Sequence, residues 1–194
     1  MPVDNKQLNL KQKIDINGRS IRGCCLLPDG RIALSSWQTD TVHFINKEGV
    51  ELFQISKDKT GAYVYATVYI KDNNSVAVST GDGCIRCITM IDIENQEFKT
   101  TMSMDTEVYG MVIRGRTIYY CAGSKALNML NLNDTSVSDT INSEMSEVYY
   151  VAKSGDKLYC TNHQTHAVTC CDLHVTTQWK FKDEYVLRVH VVYL

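Results

Sequence analysis

The stretch IRGCCLLPDGRIALSSWQTDTVHFINKEGVELFQI, residues 21–55, decides the fold. Turn residues divide it into four short runs, which are Gly23–Leu27, Arg31–Ser35, Thr41–Asn46 and Val50–Ile55. In the first turn Pro fixes φ and Gly supplies a positive φ, so that Pro-Asp-Gly reverses the chain sharply. Val, Ile and Phe alternate with polar residues inside the runs, as half-buried strands require. The stretch is therefore predicted to be a four-stranded antiparallel meander.

The same pattern recurs along the chain with a period of about 40 to 44 residues. The second-strand signal appears as RIALSS (31–36), SVAVST (75–80), TIYYCA (117–122) and KLYCTN (157–162). Each third strand ends in Asn or Asp, which are good turn openers. A Val-Tyr dipeptide opens three of the units, at Val64-Tyr65, Val108-Tyr109 and Val148-Tyr149. The repeats define four units, at about 21–56, 64–103, 108–142 and 148–182.

A single meander cannot bury both of its faces, but radial stacking of several meanders buries them all. The predicted fold is therefore all-β, a β-propeller of four full four-stranded antiparallel blades plus parts of two more. Residues 1–7 form a polar tail and residues 8–194 a single propeller domain. Within it, LNLKQKIDI (8–16) is expected to supply a closing strand, and residues 185–194 the start of a fifth blade.

The two ends leave two possibilities open. The chain is either part of a longer propeller, which we favour, or a ring of four blades that closes with extra strands at its ends. Unpaired strand edges in an open arc would invite self-association.

Composition narrows the class of protein. The chain has 194 residues, 44% hydrophobic and 22% charged, with a net charge of −2. These values are ordinary for a soluble globular domain and give no general attraction to nucleic acid or anionic membranes. No apolar run approaches the roughly 18 residues of a spanning helix, and the polar N-terminus lacks a signal-peptide core. We therefore expect a cytoplasmic protein with no membrane partner, whose eight Cys are buried thiols.

The units resemble NHL repeats, as found in the C-terminal propeller of TRIM-NHL (tripartite motif) proteins. The resemblance rests on CLLPDGRIALSSWQTDTVHFINKEGVELFQI and less clearly on VAKSGDKLYCTNHQTHAVTCCDL, and it is closest to the TRIM-like proteins of invertebrates. Units two and three lack the Asp-Gly turn of the family. NHL propellers usually have six blades, so the chain is similar to about two thirds of one. The resemblance implies a recognition module of the ubiquitin pathway. The ligase activity of that family lies in a RING domain, which this sequence does not contain.

One local cluster has the side chains of a metal site. Cys160, His163, His166 and Cys170 follow the spacing C-x2-H-x2-H-x3-C. In the unit alignment, however, the two His fall in a hairpin loop where the first unit has Trp37 and Asp40. The two Cys fall on strands and would be core thiols, so we expect an ordinary hairpin and no bound metal or other cofactor. The adjacent pair Cys24-Cys25 is likewise expected to pack in the core.

The candidate binding residues are chosen by position and not by a motif. In a propeller, the loops from fourth to first strands and from second to third strands share one face, here called the loop face. The units open with Arg22, Tyr65, Tyr109 and Tyr149, near the central channel. The second-to-third loops contain Trp37, Asp82, Lys125 and His163. Tyr, Trp and Arg are enriched in binding hot spots. The alternative is that the tyrosines only pack between blades.

The leading functional hypothesis is a non-catalytic module that binds a protein or peptide through this face, because the repeats carry no catalytic signature. Binding of single-stranded RNA is the alternative, although it needs a basic aromatic face and the predicted loops are rich in Asp and Glu. A metal-dependent propeller enzyme of the lyase or lactonase type is the third hypothesis, and it would need His, Asp and Glu converging on the channel.

Overall fold

Four antiparallel sheets make up the computed structural model, which describes residues 13–14, 20–37, 39–56, 63–81, 85–123, 127–139, 148–162 and 164–183. Each sheet contains four strands that are consecutive in the chain. The prediction of an all-β propeller with four-stranded antiparallel blades is confirmed. The strands of the first two blades are β1 (Ile21–Leu26), β2 (Ile32–Ser36), β3 (Thr41–Ile45), β4 (Glu51–Ser56), β5 (Thr67–Ile70), β6 (Ser75–Ser79), β7 (Cys87–Asp92) and β8 (Glu97–Ser103). Those of the last two are β9 (Met111–Arg114), β10 (Thr117–Cys121), β11 (Leu127–Asn131), β12 (Val137–Asp139), β13 (Tyr150–Ser154), β14 (Lys157–Asn162), β15 (Ala167–Asp172) and β16 (Thr177–Lys182).

The turn after each third strand is built by an Asn or Asp side chain, as the sequence predicts. Asn46 Oδ1 accepts the N–H of Glu48 at 3.1 Å and that of Val50 at 2.8 Å. The residues at the matching positions of the other blades accept backbone N–H groups in the same way, and they are Asp92, Asn131 and Asp172. These bonds give the turn the partners that the sheet cannot supply. The local sequence therefore fixes the hairpin between the third and fourth strands.

Two of these turns make stability depend on pH. The N–H groups of Asn95 and Thr176 lower the pKa of Asp92 and Asp172 below its usual value. A depressed folded-state pKa gives stability that is present above the unfolded pKa of about 4 and is lost as the pH falls through the folded value. We expect the double variant Asp92→Asn/Asp172→Asn to be as stable as the wild type near neutral pH, because Asn46 and Asn131 build the same turn in the other blades. On acidification its free energy of unfolding should fall less than that of the wild type.

Urea denaturation between about pH 7 and pH 2 measures this difference. Glu94→Gln is the matched control, because it removes one exposed negative charge and no turn acceptor. An acid dependence of the double variant equal to that of the wild type would contradict the assignment.

Consecutive blades pack face against face. We call the face that a blade turns towards the next blade in the chain its front face, and the opposite one its rear face. The front face of the first blade presents Ala33, Val42 and Phe44, all 0% exposed, to the rear face of the second. The second and third junctions repeat this arrangement in one continuous cluster that includes Ala77, Met90, Ile118, Tyr120, Tyr119, Leu127, Leu158 and Cys160. The hydrophobic core is therefore divided among the junctions between blades.

Three junctions between inner strands hold the array together. β1 packs on β5, β5 on β9, and β9 on β13. β13 and β1, both fully described, do not form a fourth junction of this kind. Within the predicted closing strand 8–16, the structure describes only Lys13 and Ile14, and Ile14 lies against Gly49 in the first blade. The predicted start of a fifth blade, residues 185–194, lies outside the described part of the chain.

One position of the inner strand controls how closely the blades approach. It is occupied by Gly23, Ala66, Gly110 and Tyr150, which pair with equivalent residues of the second strands. A Cβ on Gly23 would lie 2.8 Å from the Cα of Ala66, and one on Gly110 would lie 2.8 Å from the Cα of Tyr150. The next blade thus occupies the space of the missing side chain in the first and third blades. In the fourth blade the same position carries a full tyrosine ring.

Each third strand also carries a buried polar residue at one matching position. These residues are His43, Thr89, Asn128 and Thr169, all at most 3% exposed. In the first three blades this residue hydrogen-bonds a side chain of the outermost strand, namely Glu51 at 2.8 Å, Thr101 at 3.1 Å and Asp139 at 2.8 Å. A buried polar group needs such a partner, so these pairs fix the outermost strand on its sheet.

The cysteines follow the prediction only in part. Cys87, Cys121, Cys160, Cys170 and Cys171 are buried free thiols. The prediction is wrong for Cys24, which is exposed, and incomplete for Cys25, which is half-buried. Cys24 lies on the rear face of the first blade, where no earlier full blade covers it. The described residues contain no helix long and apolar enough to cross a lipid bilayer.

Candidate functional site

The four opening residues named by the sequence occupy one structural position. Tyr65, Tyr109 and Tyr149 each donate their backbone N–H to a carbonyl of the second strand in their own blade, at 2.8, 2.9 and 3.2 Å. Arg22 stands at the same point of β1, directly before Gly23. In the second blade the loop after the second strand reaches the next blade nearby, since the N–H of Gly81 bonds the carbonyl of Val108 at 2.8 Å, and Gly123 of the third blade bridges to Val148 in the same way. The repeat therefore brings one side chain per blade towards the same region.

Four tyrosines meet there and form what we call the tyrosine hub, consisting of Tyr65, Tyr109, Tyr149 and Tyr150. The ring centroids of Tyr65 and Tyr109 are 5.2 Å apart in an edge-on arrangement. Tyr149 lies 4.7 Å from Tyr109, and Tyr150 lies 5.5 Å from Tyr65. Such distances are typical of favourable aromatic pairs. The hub links the second, third and fourth blades.

Burial divides the hub into a packed part and an accessible part. Tyr65 is 7% and Tyr109 is 9% exposed, whereas Tyr149 and Tyr150 are half-buried. Burial raises the pKa of Tyr65 well above its usual value, and the Tyr150 hydroxyl adds to the shift. Tyr65 and Tyr109 thus pack between blades, which is the alternative stated above for the opening tyrosines. They leave little surface for a ligand.

Two serines that the sequence analysis did not single out fix the position of the hub. Ser35 Oγ donates to the carbonyl of Tyr65 at 2.6 Å, and Ser79 Oγ donates to that of Tyr109 at 2.8 Å. Both serines are 0% exposed. In the third blade the matching residue is Cys121, and the N–H of Gly110 bonds the carbonyl of Tyr149 at 2.8 Å. Ser35 and Ser79 occupy the same position of the repeated second-strand sequence, and this repetition could have identified them from the sequence.

Beside the hub lies a more open group, the Arg22 corner, which consists of Arg22, Trp37 and Tyr63. The guanidinium carbon of Arg22 is 5.4 Å from the ring centroid of Trp37 and 5.8 Å from that of Tyr65. Tyr63, 40% exposed, lies 5.5 Å from Trp37. Cation–π contacts of this kind hold a guanidinium in a fixed place. The structure thus brings together two predicted residues, Arg22 and Trp37, and adds Tyr63.

Asp40 lies near the Arg22 corner, because its carboxylate accepts the backbone N–H of Val64, which follows Tyr63 in the chain. Its backbone has a φ of 50°, in the left-handed region that Asp tolerates better than most residues. Burial raises the pKa of its side chain, and the backbone N–H of Val64 opposes this shift. Its Oδ1 atom is buried and has no hydrogen-bond partner among the described residues. The sequence showed Asp40 only as one of many acidic loop residues, because its partial burial depends on the second blade.

The rest of the described loop face has little unbalanced positive charge. Arg86 pairs with Glu107 at 2.7 Å and donates to the carbonyl of Asp105 at 3.3 Å. Asp40, Asp105 and Glu107 set three carboxylates against Arg22 and Arg86. A polyanion would meet no basic groove here. Three predicted binding residues, Asp82, Lys125 and His163, lie outside the described part of the chain.

The Cys/His cluster does not converge in its described part. Cys160 pairs with Thr169, whereas Cys170 pairs with Tyr159. Because neighbouring residues of a strand point to opposite faces, Cys160 faces the rear of the blade and Cys170 its front. His166 lies in the loop, with a φ of 49°, and His163 lies outside the described residues. No three His, Cys, Asp or Glu side chains of the described residues are arranged to hold a metal ion.

Three thiols do meet between the third and fourth blades, namely Cys160 of that cluster together with Cys121 and Cys171. Cys121 on the front of the third blade is in electrostatic contact with Cys171, and Cys160 hydrogen-bonds with Cys171. Burial raises the pKa of Cys121, and the bond to Cys171 together with burial raises that of Cys160. Cys121 and Cys160 are therefore protonated at neutral pH and act as small apolar side chains, whereas the same hydrogen bond lowers the pKa of Cys171.

Comparison with known proteins supports the fold. No protein-family model and no curated protein matches the chain. Virginiamycin B lyase from Staphylococcus aureus is a structural neighbour, with a TM-score of 0.67 and 15% identity over 86% of this chain and 57% of that one. The structure of U3-55K matches with a TM-score of 0.68 and 14% identity over 87% of this chain and 54% of that one. The WD40 repeats of RRP9 match with a TM-score of 0.69 and 15% identity over 88% of this chain and 53% of that one.

These neighbours include a lyase and WD40 repeats, so they establish the β-propeller architecture and nothing about chemistry. Identities of 13–15% leave the resemblance to NHL repeats at the level of a resemblance. The chain spans little more than half the length of these structures.

Proposed function

We propose that the protein is a non-catalytic recognition module that binds a protein or peptide through the loop face. The observation that carries the proposal is the Arg22 corner, in which the half-buried Trp37 ring holds the Arg22 guanidinium and packs on the exposed ring of Tyr63. Trp, Tyr and Arg are the residue types that dominate binding hot spots. The resemblance to NHL repeats supports a role like that of the substrate-recognition propeller of TRIM-like ubiquitin ligases. The free thiols fit the reducing cytoplasm that we propose as its location.

Rigidity of the supporting residues favours binding over simple packing at this place. The Arg22 corner rests on Tyr65, which is buried and fixed through its carbonyl by Ser35. A rigid aromatic surface loses little conformational entropy when a ligand binds. The corner can therefore serve as an anchor point although the neighbouring hub is closed.

Charge decides the class of peptide. Asp40 carries a half-buried carboxylate, and Asp105 and Glu107 lie on the same face. A peptide with a basic residue beside an aromatic or aliphatic one would satisfy both the carboxylate and the rings. Single-stranded RNA would instead face net negative charge, and its binding is an outcome that the test can detect.

Selection of binders from a displayed peptide library against the full chain tests the proposal. We expect enriched peptides with a basic and an apolar residue, and at least about tenfold weaker binding by Trp37→Ala or Tyr63→Ala. Val137→Ala is the matched control, since Val137 is 45% exposed on an outermost strand away from the corner. Peptides that bind both aromatic variants unchanged, or a salt-sensitive shift of oligoribonucleotides with no peptide binding, would refute it.

Asp40→Asn separates stability from binding. Because burial raises the pKa of Asp40, the ionised form costs stability, and that cost is present at neutral pH and disappears as the pH falls through the folded-state value. The variant is therefore expected to melt slightly higher than the wild type near pH 7, with the difference vanishing in acid. It should bind a basic peptide more weakly. Thermal melts at two pH values and a peptide titration measure both effects, and unchanged binding would remove Asp40 from the site.

A further inference from the structure

The end of the blades opposite the loop face carries a compact group of basic side chains. It is formed by the turns between the first and second strands of the last three blades, residues 71–74, 114–117 and 153–157. These turns contain five basic side chains and two carboxylates, all exposed, and so have a net charge of +3 in a chain whose total is −2. We call the five basic residues the basic patch, and they are Lys71, Arg114, Arg116, Lys153 and Lys157.

Two ion pairs show that these turns lie side by side. Nη1 of Arg116 in the third blade donates to Oδ2 of Asp72 in the second blade at 2.9 Å. Nη2 of Arg114, also in the third blade, donates to Oδ1 of Asp156 in the fourth blade at 2.8 Å. The basic patch is therefore one continuous surface across three blades, and its two guanidiniums are held at the junctions between them.

The three lysines of the basic patch supply its excess charge. Nζ of Lys153 lies 3.5 Å from a backbone carbonyl oxygen of its own turn, which keeps the ammonium group close to the turn. Lys71, Lys153 and Lys157 form no ion pair with any residue that the structure describes. In the first blade, by contrast, Arg31 is paired with Asp29 of the same turn. The unbalanced positive charge thus belongs to the last three blades.

An acidic rim lies on the outer side of the basic patch. The turns between third and fourth strands reach the same end of the blades, and in the last three blades they carry Asp92, Glu94, Glu97, Asp134 and Asp172. Lys99 offsets one of these charges through its contact with Asp92 at 3.4 Å. The rim is two strand spacings from the patch, which is about 10 Å. Because the Debye length is about 8 Å at physiological ionic strength, the patch keeps a positive local potential.

We propose that the basic patch binds a short acidic segment of a partner protein, in which two or three Asp or Glu side chains contact the lysines and the two guanidiniums. Each guanidinium already contacts one carboxylate through one nitrogen, and its five N–H donors suit a second carboxylate as well. Since the ion pairs hold both Arg side chains between blades, little conformational freedom is lost on binding. The proposal concerns a different face from the loop face and does not rest on the function proposed above.

The surroundings of the basic patch favour a narrow acidic segment over a membrane or a nucleic acid. A bilayer or a duplex is wider than the patch, so its negative charges would also meet the acidic rim. None of the exposed large apolar side chains of the described residues lies in the three turns, whereas a protein that inserts into a bilayer surface uses such side chains. The three turns, all described, also contain no aromatic ring on which a single-stranded base could stack.

Fluorescence anisotropy of the full chain with a labelled acidic peptide tests the proposal. The probe is a fluorescein-labelled peptide of alternating Glu and Gly. We expect binding at about 50 mM salt that weakens at least about fivefold at about 300 mM. The triple variant Lys71→Gln/Lys153→Gln/Lys157→Gln should weaken binding at low salt about tenfold, because each exposed contact contributes little and three are removed. No binding of the wild type at low salt would overturn the proposal.

Two controls show whether binding belongs to the basic patch. Lys47→Gln/Lys180→Gln/Lys182→Gln changes the net charge by the same amount at positions outside the patch, and should weaken binding less than about twofold. Trp37→Ala alters the loop face and should leave binding of the acidic peptide unchanged. Equal losses for the two triple variants, or a loss in Trp37→Ala, would overturn the proposal. So would phosphatidylserine vesicles or an oligoribonucleotide that bind through the three patch lysines more tightly than the peptide does.

Removal of the two resident carboxylates tests the proposal in the opposite direction. Asp72→Asn/Asp156→Asn releases Arg116 and Arg114 for the peptide and makes the turns more positive. Exposed ion pairs add little to stability, so the variant should unfold close to the wild type in a thermal melt. It should bind the acidic peptide at least about threefold more tightly. Unchanged or weaker binding would mean that the peptide does not contact the two guanidiniums, and would overturn the proposal.

Discussion

Phe44→Ala is expected to destabilise the protein by about 3–5 kcal/mol, the usual cost of emptying a buried aromatic site. Phe44 is 0% exposed and stacks on Phe53, with ring centroids 4.4 Å apart and an angle of 14° between the planes. It lies on the front face of the first blade, against the cluster that contains Val76 and Ile91 of the second. The substitution therefore leaves a cavity at the junction of two blades, and neither sheet can close it without shifting as a whole.

Urea denaturation followed by circular dichroism measures this loss. Phe53→Ala is the matched control, because its ring belongs to the same stack but is only half-buried on β4. It should cost clearly less. Equal losses for the two variants, or a loss below about 1 kcal/mol for Phe44→Ala, would mean that the first junction is not packed as described.

Gly110→Val is expected to disrupt the third junction, through a clash rather than a cavity. A Cβ at residue 110 would lie 2.8 Å from the carbonyl oxygen of Tyr149 and 2.8 Å from the Cα of Tyr150. Both are backbone atoms of the fourth blade, so no side-chain rotation relieves the contact. Overpacking of this kind costs about 1–3 kcal/mol or more, and a branched residue lies at the upper end.

Thermal unfolding compares this variant with Gly115→Asn. Gly115 has a φ of 55° and open space around the position of a Cβ, and Asn tolerates that conformation. The control should change the melting temperature little, whereas Gly110→Val should lower it by several degrees. A Gly110→Val variant as stable as the wild type would show that the third and fourth blades are farther apart.

The sequence predicts the blades well because their signals are local. Alternation of apolar and polar residues fixes which side chains share a sheet face, and each hairpin turn carries its own chemistry. Asn46, Asp92 and Asp172 open the turns after the third strands, as predicted. In the third blade the residue that opens the turn is Asn131, the last residue of β11.

The candidate site was less predictable because it depends on contacts between blades. The repeat period places Arg22 and the opening tyrosines at matching positions, but it does not say which of them remain accessible. Tyr65 is buried because Ser35 of the preceding blade holds its backbone and Tyr150, two blades later, covers its ring. Asp40 and Tyr63 join the site for the same reason, since one belongs to the first blade and the other opens the second.

The wrong prediction that Cys24 is buried has a similar origin. Adjacent strand residues were expected to face two buried sides, which holds only in a blade with neighbours on both sides. Cys170 and Cys171 are buried on opposite faces of the fourth blade. Cys24 and Cys25 belong to the first blade, so the side that receives no preceding blade leaves Cys24 exposed.

Tyr150 also affects how such a repeat array could be extended by duplication of its units. Duplication of a unit extends a repeat protein only if the new copy meets an acceptor surface like the old ones. Gly23, Ala66 and Gly110 each provide such an acceptor, whereas the ring of Tyr150 occupies that space and packs on Tyr65 instead. A copied unit that follows the first or third blade therefore meets a small residue at this position, whereas a sheet that packs on the front of the fourth blade has to accommodate the ring of Tyr150.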